Sequence, residues 1–286
     1  MIFSFEHMSI DVVPGKKPFF HRDWPLTDLK AVLGSWFKYM QENDGWNSLY
    51  IENHDQPRVV QRWASDAPEH RANAAKMLAI FHATGLGTLF IYQGQEIGSA
   101  NSKEWTQEQL RDLEEINYYN YERQKRGKDA DMSDVLAGIQ RNGRDNARMP
   151  MAWSAEKHAG FSAGEKEPWI KVCEDYKEWN VAAQQGQPDS VLEFWRSLLK
   201  IRKEHRGLVY GWFEMLDEEN EQVYAYTRTD ESSRYLVACN FSSDNVQWTA
   251  SVEVGDLLVS SHGTVAEKGA ALNLRPYEGR VYVKKI

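Results

Sequence analysis

Gly45-Trp46-Asn47-Ser48-Leu49-Tyr50-Ile51-Glu52-Asn53-His54-Asp55-Gln56-Pro57-Arg58 is the stretch that decides the fold. Leu49, Tyr50 and Ile51 form a short apolar run of the kind that makes a buried strand. The run enters a polar cluster, Asn53-His54-Asp55, and Pro57 stops any strand there. A buried strand that delivers an Asn, a His and an Asp at its carboxyl end is how a (β/α)8 barrel presents catalytic groups.

Working outward, the same unit recurs on both sides. Upstream, Ile2-Phe3-Ser4-Phe5 reads as a buried strand ending in Glu6-His7, and Pro14, Gly15 and Pro18 mark a loop. Thr27 is placed to cap a helix whose apolar residues are Leu29, Val32, Leu33, Trp36, Phe37 and Met40, and Asn43-Asp44-Gly45 ends it. Downstream, residues 69–84 read as an Ala-rich helix with Ala75, Leu78, Ala79 and His82 along one side. Thr88-Leu89-Phe90-Ile91-Tyr92 is a third buried strand, ending at Gln93-Gly94-Gln95-Glu96. Strands joined through helices should be parallel.

Residues 97–187 then run without such a strand. They are rich in Gly, Asn, Trp and charge, with short helices near 106–126 and 133–139. Segments of this length are usually functional or disordered, and Trp105, Trp153, Trp169, Trp179 and Tyr118 favour an ordered lid. A helix follows Ser190, which forms a capping box with Glu193, and Gly207 stops it. Beyond it the period changes. Residues 222–229, 234–241, 246–252 and 280–285 are short β-rich runs separated by turns, as in a small antiparallel sandwich.

Composition narrows the function. The chain has 286 residues, 42% hydrophobic, and a formal net charge of −8, which disfavours nucleic acid and anionic membrane surfaces as partners. Mean hydropathy is −0.64, and no apolar run approaches the length that spans a bilayer. Met1 to His7 lacks the pattern of a secretory signal, which points to the cytoplasm. Cys173 and Cys239 have no CxxC spacing and read as two ordinary thiols. No cluster implies a metal or organic cofactor.

Asn53-His54-Asp55 alone has a bland reading, in which Asn53 and Asp55 cap a turn and His54 is a core histidine. Its chemical reading is that an ionised Asp beside a sugar ring compensates oxocarbenium charge while a neighbouring His bonds the same hydroxyls. Three further segments decide between the two. They are Tyr92-Gln93-Gly94-Gln95-Glu96, the loop Arg144-Asp145-Asn146-Ala147-Arg148-Met149-Pro150-Met151-Ala152-Trp153, and Ile2-Phe3-Ser4-Phe5-Glu6-His7-Met8. In this order and spacing, with the ending Leu274-Arg275-Pro276-Tyr277-Glu278-Gly279, they resemble glycoside hydrolase family 13, the α-amylase superfamily, in its α-glucosidase/oligo-1,6-glucosidase branch. The chain departs from the branch at Met149 and Ala152, where Thr and Gln are usual.

The resemblance implies an α/β fold: the C-terminal part of a TIM (β/α)8 barrel, strands six to eight, followed by a small antiparallel β-sandwich. Residues 1–206 would be the partial barrel, with a lid at 97–187, and residues 207–286 the sandwich. It implies retaining hydrolysis of terminal α-linked glucose from substrates such as maltose, isomaltose or sucrose. Asp55 would stabilise the transition state with His54 assisting. Arg148, and second to it Arg144, would hold the innermost glucose. Phe5 and Glu6 would face the second sugar, and Glu96 as a general acid is a minor alternative. The family's nucleophilic Asp and acid/base Glu lie on strands preceding these, so the missing N-terminal half of the barrel is an expected partner, and the chain alone is expected to be inactive. The alternative is a non-catalytic amylase-like protein acting in sugar binding or protein interaction.

Overall fold

A computed structural model describes residues 1–265 and 269–286. Three parallel segments line up at its centre. Ile2 bridges Asn47 in parallel, and β1 (Ser48–Leu49) pairs in parallel with β2 (Thr88–Leu89). The crossovers are helical. The first carries α1 (Leu26–Glu42), and the second carries α2 (Val59–Trp63) and α3 (Arg71–Ala83).

The first segment is less regular than its pattern suggests. Ile2, Phe3 and Phe5 are 45%, 47% and 58% exposed, and Glu6–Ser9 turns into a 3-10 helix. The cause is an unpartnered side: Ile2 is bridged through Asn47, and Phe3 leans on Tyr50 and Phe90 with ring centroids 5.3 and 4.9 Å away. Helix α1 starts at Leu26 behind Pro25, whose extended backbone launches it, so Thr27 lies inside the first turn and caps nothing. Its buried residues Leu26, Leu29, Leu33, Phe37 and Met40 follow the helical spacing.

Helix α3 is buried from Ala74 to Ala83 on every side, not along one stripe. Its outer face is covered by the C-terminal sheet, against which it packs through two strands. That sheet has the order β3-β4-β5-β9-β7, formed by β3 (Trp212–Leu216), β4 (Val223–Thr229), β5 (Ser233–Asn240), β7 (Asp256–Ser260) and β9 (Gly279–Lys285), all antiparallel. Two further strands, β6 (Val246–Thr249) and β8 (Ala271–Leu274), pair across a second small core of Leu216, Val223, Ala225, Leu236, Trp248 and Leu272. Strands β3, β7 and β8 lie where the sequence pattern marked no strand.

The main core crosses from barrel segment to sheet, joining Leu29, Phe37, Leu78 and Ile80 to Tyr224, Tyr226, Val237, Cys239 and Val281. Cys173 is half-buried, and both thiols are free. Two buried arginines bind the junction through backbone carbonyls. Arg202 donates to the carbonyls of Ala83, Gly87 and Leu208, and Arg228 to those of Thr84, Leu208, Val209 and Gly211. Two of these carbonyls, Ala83 and Thr84, lie at the end of α3, where the helix dipole favours a cation.

Residues 97–187 are ordered around α4 (Leu113–Arg126), α5 (Ser133–Asn142), α6 (Asp145–Arg148) and α7 (Val181–Gln184). They enclose a third core of Trp105, Leu110, Tyr119, Val135, Ile139, Met149 and Ile170, onto which Phe19 packs. Met149, where the branch usually has Thr, is thus a core residue. Helix α8 (Val191–Glu204) returns to the barrel and leads through α9 (Gly207–Tyr210) to β3. Ser190 caps α8 by accepting Glu193 N–H, but Glu193 turns its carboxylate to Gly186 N–H and Arg196, so only half of the expected box forms. Among the described residues no helix is long and apolar enough to cross a membrane.

Candidate active site

Two arginines and two aspartates meet at the carboxyl end of the parallel segments. Tyr50 and Ile51 are buried, the chain turns at Asn53, whose side chain accepts Asp55 N–H at 2.8 Å, and Asp55 emerges 42% exposed. His54 Nε2 lies 3.3 Å from Asp55 Oδ2 and is largely open to solvent. Arg148 Nη2 donates to Asp55 Oδ1 at 2.8 Å and Arg148 Nε to the His54 carbonyl at 2.9 Å; Arg144 Nη1 stands 3.5 Å from the same Asp55 oxygen. Asn53 therefore caps a turn, as its bland reading holds, while His54 is not a core residue.

The second carboxylate of the cluster is Asp112, which the sequence reading passed over. It is nearly buried and takes Arg148 Nη1 at 2.6 Å and Arg144 Nη2 at 2.9 Å. It also caps α4, accepting the N–H groups of Glu114 and Glu115. Burial raises its carboxyl, but the hydrogen bonds from Arg144 and Arg148 outweigh burial and hold it below the ordinary range. The signal available in the sequence was Asp112 standing before Leu113-Glu114-Glu115, an N-cap pattern.

The loop that carries both arginines is fixed at every residue. Asp145 accepts the N–H groups of Arg111 and Asp112. Asn146 donates to the carbonyls of Gln140 and Gly143 and accepts Ser102 N–H and Trp105 Nε1. The Ala147 carbonyl accepts Tyr92 Oη at 3.0 Å and Arg58 Nη2 at 3.5 Å. Arg58 in turn is held by buried Glu52 at 3.0 Å and by the Gln93 carbonyl at 2.8 Å. Burial raises the Glu52 carboxyl above its usual range against the opposing pull of Arg58. Gly94 has φ +92, and a Cβ there would meet Arg58 and Ser99, so only glycine lets the strand end close over this guanidinium.

Phe5 and Glu6 stand apart from this cluster. Phe5 packs edge-on against Tyr50, and Glu6 Oε2 accepts Trp36 Nε1 from α1 at 2.6 Å. Glu96 closes its own turn by accepting Gly94 N–H, which turns it away from acid catalysis. A cleft of about 330 Å³ opens beside Asp55, lined by Lys16, Phe19, Gln56, Glu114 and Arg144. Beside it Lys17 lies 3.5 Å from Glu114. A cleft of this size with convergent charged groups suits a small polar ligand.

Comparison with known proteins shows the family. Residues 1–211 match the alpha amylase catalytic domain and residues 213–281 the maltogenic amylase C-terminal domain. The chain belongs to the α-amylase catalytic-domain family. Within it, the chain is 41% identical to the oligo-1,6-glucosidase of Parageobacillus thermoglucosidasius, over 99% of the chain and 50% of that protein. It is 32% identical to the alpha-glucosidase of Schizosaccharomyces pombe, over 97% of the chain and 49% of the relative. Two solved structures are similar. The trehalose-6-phosphate hydrolase of Bacillus licheniformis has a TM-score of 0.92 at 31% identity, over 99% of this chain and 51% of its own. An isomaltulose synthase from Erwinia rhapontici, in complex with its natural substrate sucrose, has a TM-score of 0.90 at 32% identity, over 98% of this chain and 50% of its own. The chain spans about half the length of the curated relatives it matches.

Proposed function

We propose that this chain supplies one half of an α-glucosidase active site: the transition-state-stabilising Asp55 and the arginines that hold it. The single observation that carries the reading is the Asp55–Arg148–Asp112 chain of hydrogen bonds at the mouth of the parallel segments. An ionised carboxylate pinned by a guanidinium keeps a fixed direction, so its charge is already in place when oxocarbenium character develops on the ring. In this reading Arg148 and Arg144 orient Asp55 and the innermost glucose, and His54 bonds the same hydroxyls. Phe5, exposed at the strand end, is the residue left to meet the second sugar. The substrates are short α-glucosides such as maltose, isomaltose or sucrose.

The parallel segments are read as strands six to eight of a (β/α)8 barrel over residues 1–206, with a lid at 97–187 and the sandwich at 207–286. Retaining hydrolysis needs a nucleophile and an acid/base about 5 Å apart. Asp55 is tied to arginines, and the resemblance puts both catalytic carboxylates on earlier strands. The exposed Ile2, Phe3, Phe5 and Phe90 form an apolar inner face that suits a complementary half-barrel. The test is co-expression with the first half of the Parageobacillus thermoglucosidasius relative. Co-purification with α-glucosidase activity supports the reading, and a stable complex without activity sinks it.

A further inference from the structure

Glu115 is a carboxyl group in an unusual place. It sits on the first turn of α4, 1% exposed, under the loop that carries Arg144 and Arg148. Its Oε1 accepts Asp145 N–H at 2.9 Å, at the start of α6. The position is tight: a Cβ on Gly143 would come within 2.7 Å of Oε1 and 2.6 Å of the Ile139 carbonyl, so the loop backbone rests directly on the carboxyl. Asp145 reaches back with Oδ2 to the N–H groups of Arg111 and Asp112. Helix and loop therefore cross-brace each other through two acids.

The remaining oxygens explain which form of Glu115 the brace needs. Glu115 Oε2 and Asp145 Oδ1 are both buried and meet no donor among the described residues. One proton on Glu115 supplies the missing donor, and the two acids are hydrogen-bonding neighbours. The charged groups facing Glu115 are Asp145 from α6 and Asp112 at the head of α4, both negative. From the far side it meets the backbone of Gly143. Arg144 and Arg148, the cations of the loop, spend donors on Asp112, Asp55 and the His54 carbonyl. Burial first, and then the charge of Asp145, push the Glu115 carboxyl up to about 8.

We infer that Glu115, in its protonated form, is a positioning residue for the arginine loop, and that its ionisation releases residues 143–148 from α4. Loss of the proton leaves two buried carboxylates facing each other with Asp112 close by, an arrangement that Coulomb repulsion and desolvation both oppose. The strain falls on residues 143–148 because their Asp145 is the acid that faces Glu115, while Glu115 is held in the first turn of α4 behind the Asp112 cap. Loop release withdraws Arg144 and Arg148 from Asp55, giving the site an alkaline limit that no group in contact with substrate sets. The switch itself is a property of the brace. Only its effect on Asp55 rests on the function proposed above.

The test needs no turnover. Amide exchange of residues 143–149 in the full chain is measured from pH 6 to 9.5, each rate divided by that of an unstructured peptide of the same sequence, with strand β5 as internal reference. Glu115→Gln copies the protonated acid in shape and in its donor. The wild-type loop should lose at least tenfold protection with a midpoint near pH 8, and Glu115→Gln should stay protected throughout. Identical profiles for the two, or a wild-type loop protected to pH 9.5, overturn the inference. A second measurement uses the same variant. Carbon-13 NMR of glutamate side-chain carboxyls should show, beside buried Glu52, a group titrating well above the ordinary range in the wild type and missing from Glu115→Gln, and the same set of high-titrating groups in both proteins also overturns it. Both readouts stand whether or not the α-glucosidase reading fails.

Discussion

Asp112 accepts Arg148 Nη1 at 2.6 Å from a position that also caps helix α4. One buried carboxylate thus sets the start of the lid helix and the aim of the guanidinium that points at Asp55. Asp112→Asn keeps a good cap and removes the charge, whereas Asp112→Ala removes both. The Ala variant should lose about 1 kcal/mol for the cap, and both should lose a further 1–3 kcal/mol, roughly, for two partly buried guanidiniums that keep Asp55 but lose their buried counter-charge. Denaturant midpoints of the three proteins check this ordering. Equal midpoints for wild type and Asp112→Ala would refute the dual role.

Arg228 makes five hydrogen bonds to four carbonyls and faces no carboxylate among them. Burial lowers it to about 10, still far above neutrality, so it remains charged. Arg228→Lys cannot reproduce the fork, and at least two carbonyls should lose their donor, at about 1–3 kcal/mol each. Calorimetry of Arg228→Lys should show a lower melting temperature for barrel segment and sheet together, because one core spans both. A split into two transitions would contradict a shared core.

Acid should weaken the fold through its buried histidines, above the range in which ordinary carboxylates titrate. Burial depresses His7, His82 and His262 to about 4 each, so the native state holds them neutral. His82 has a fixed tautomer: Gln95 Nε2 donates to its Nδ1 at 2.8 Å, so its Nε2–H donates to the Leu49 carbonyl at 3.0 Å. Between the unfolded value of 6.5 and about 4 the unfolded chain binds more protons, so stability rises with pH through that window and falls on acidification. Urea midpoints at pH 6.5, 5.5 and 4.5 should fall, the three histidines taking up as many as about three protons on unfolding against about one released by Glu115, and His82→Gln should remove about one of the protons taken up.

Glu115 gives the opposite sign. Its carboxyl is raised, so above about 4.5 the native state binds the extra proton and stability declines as pH rises toward 8. Glu115→Gln should therefore gain stability relative to wild type at pH 8 and show little advantage at pH 4.5. A constant difference between the two proteins across that range would mean that the proton is not held by Glu115.

Much of this was legible because the informative residues are local. Asn53-His54-Asp55 follows an apolar run directly, and the arginine loop keeps its residues adjacent, so composition and order carried the reading. Asp112 was hidden because a capping Asp before a polar helix is common, and its second role appears only when residues 36 positions apart meet. Helix α3 read as one-sided because the sheet that buries its outer face lies far downstream. Phe5 and Glu6 follow a segment with an open side, which lets Phe5 turn out and Glu6 bend toward Trp36, and no local pattern marks either turn. Strands β7 and β8 are short and partly exposed, and their alternation is too brief to separate them from turns.

The most direct measurement is the hydrolysis of a chromogenic α-glucoside by the purified 286-residue chain, beside its Asp55→Ala variant. The half-site account predicts no turnover above the buffer rate for either protein. A measurable rate in the wild-type chain that disappears in Asp55→Ala would contradict it, because Asp55 and its arginines would then be acting within a complete catalytic site.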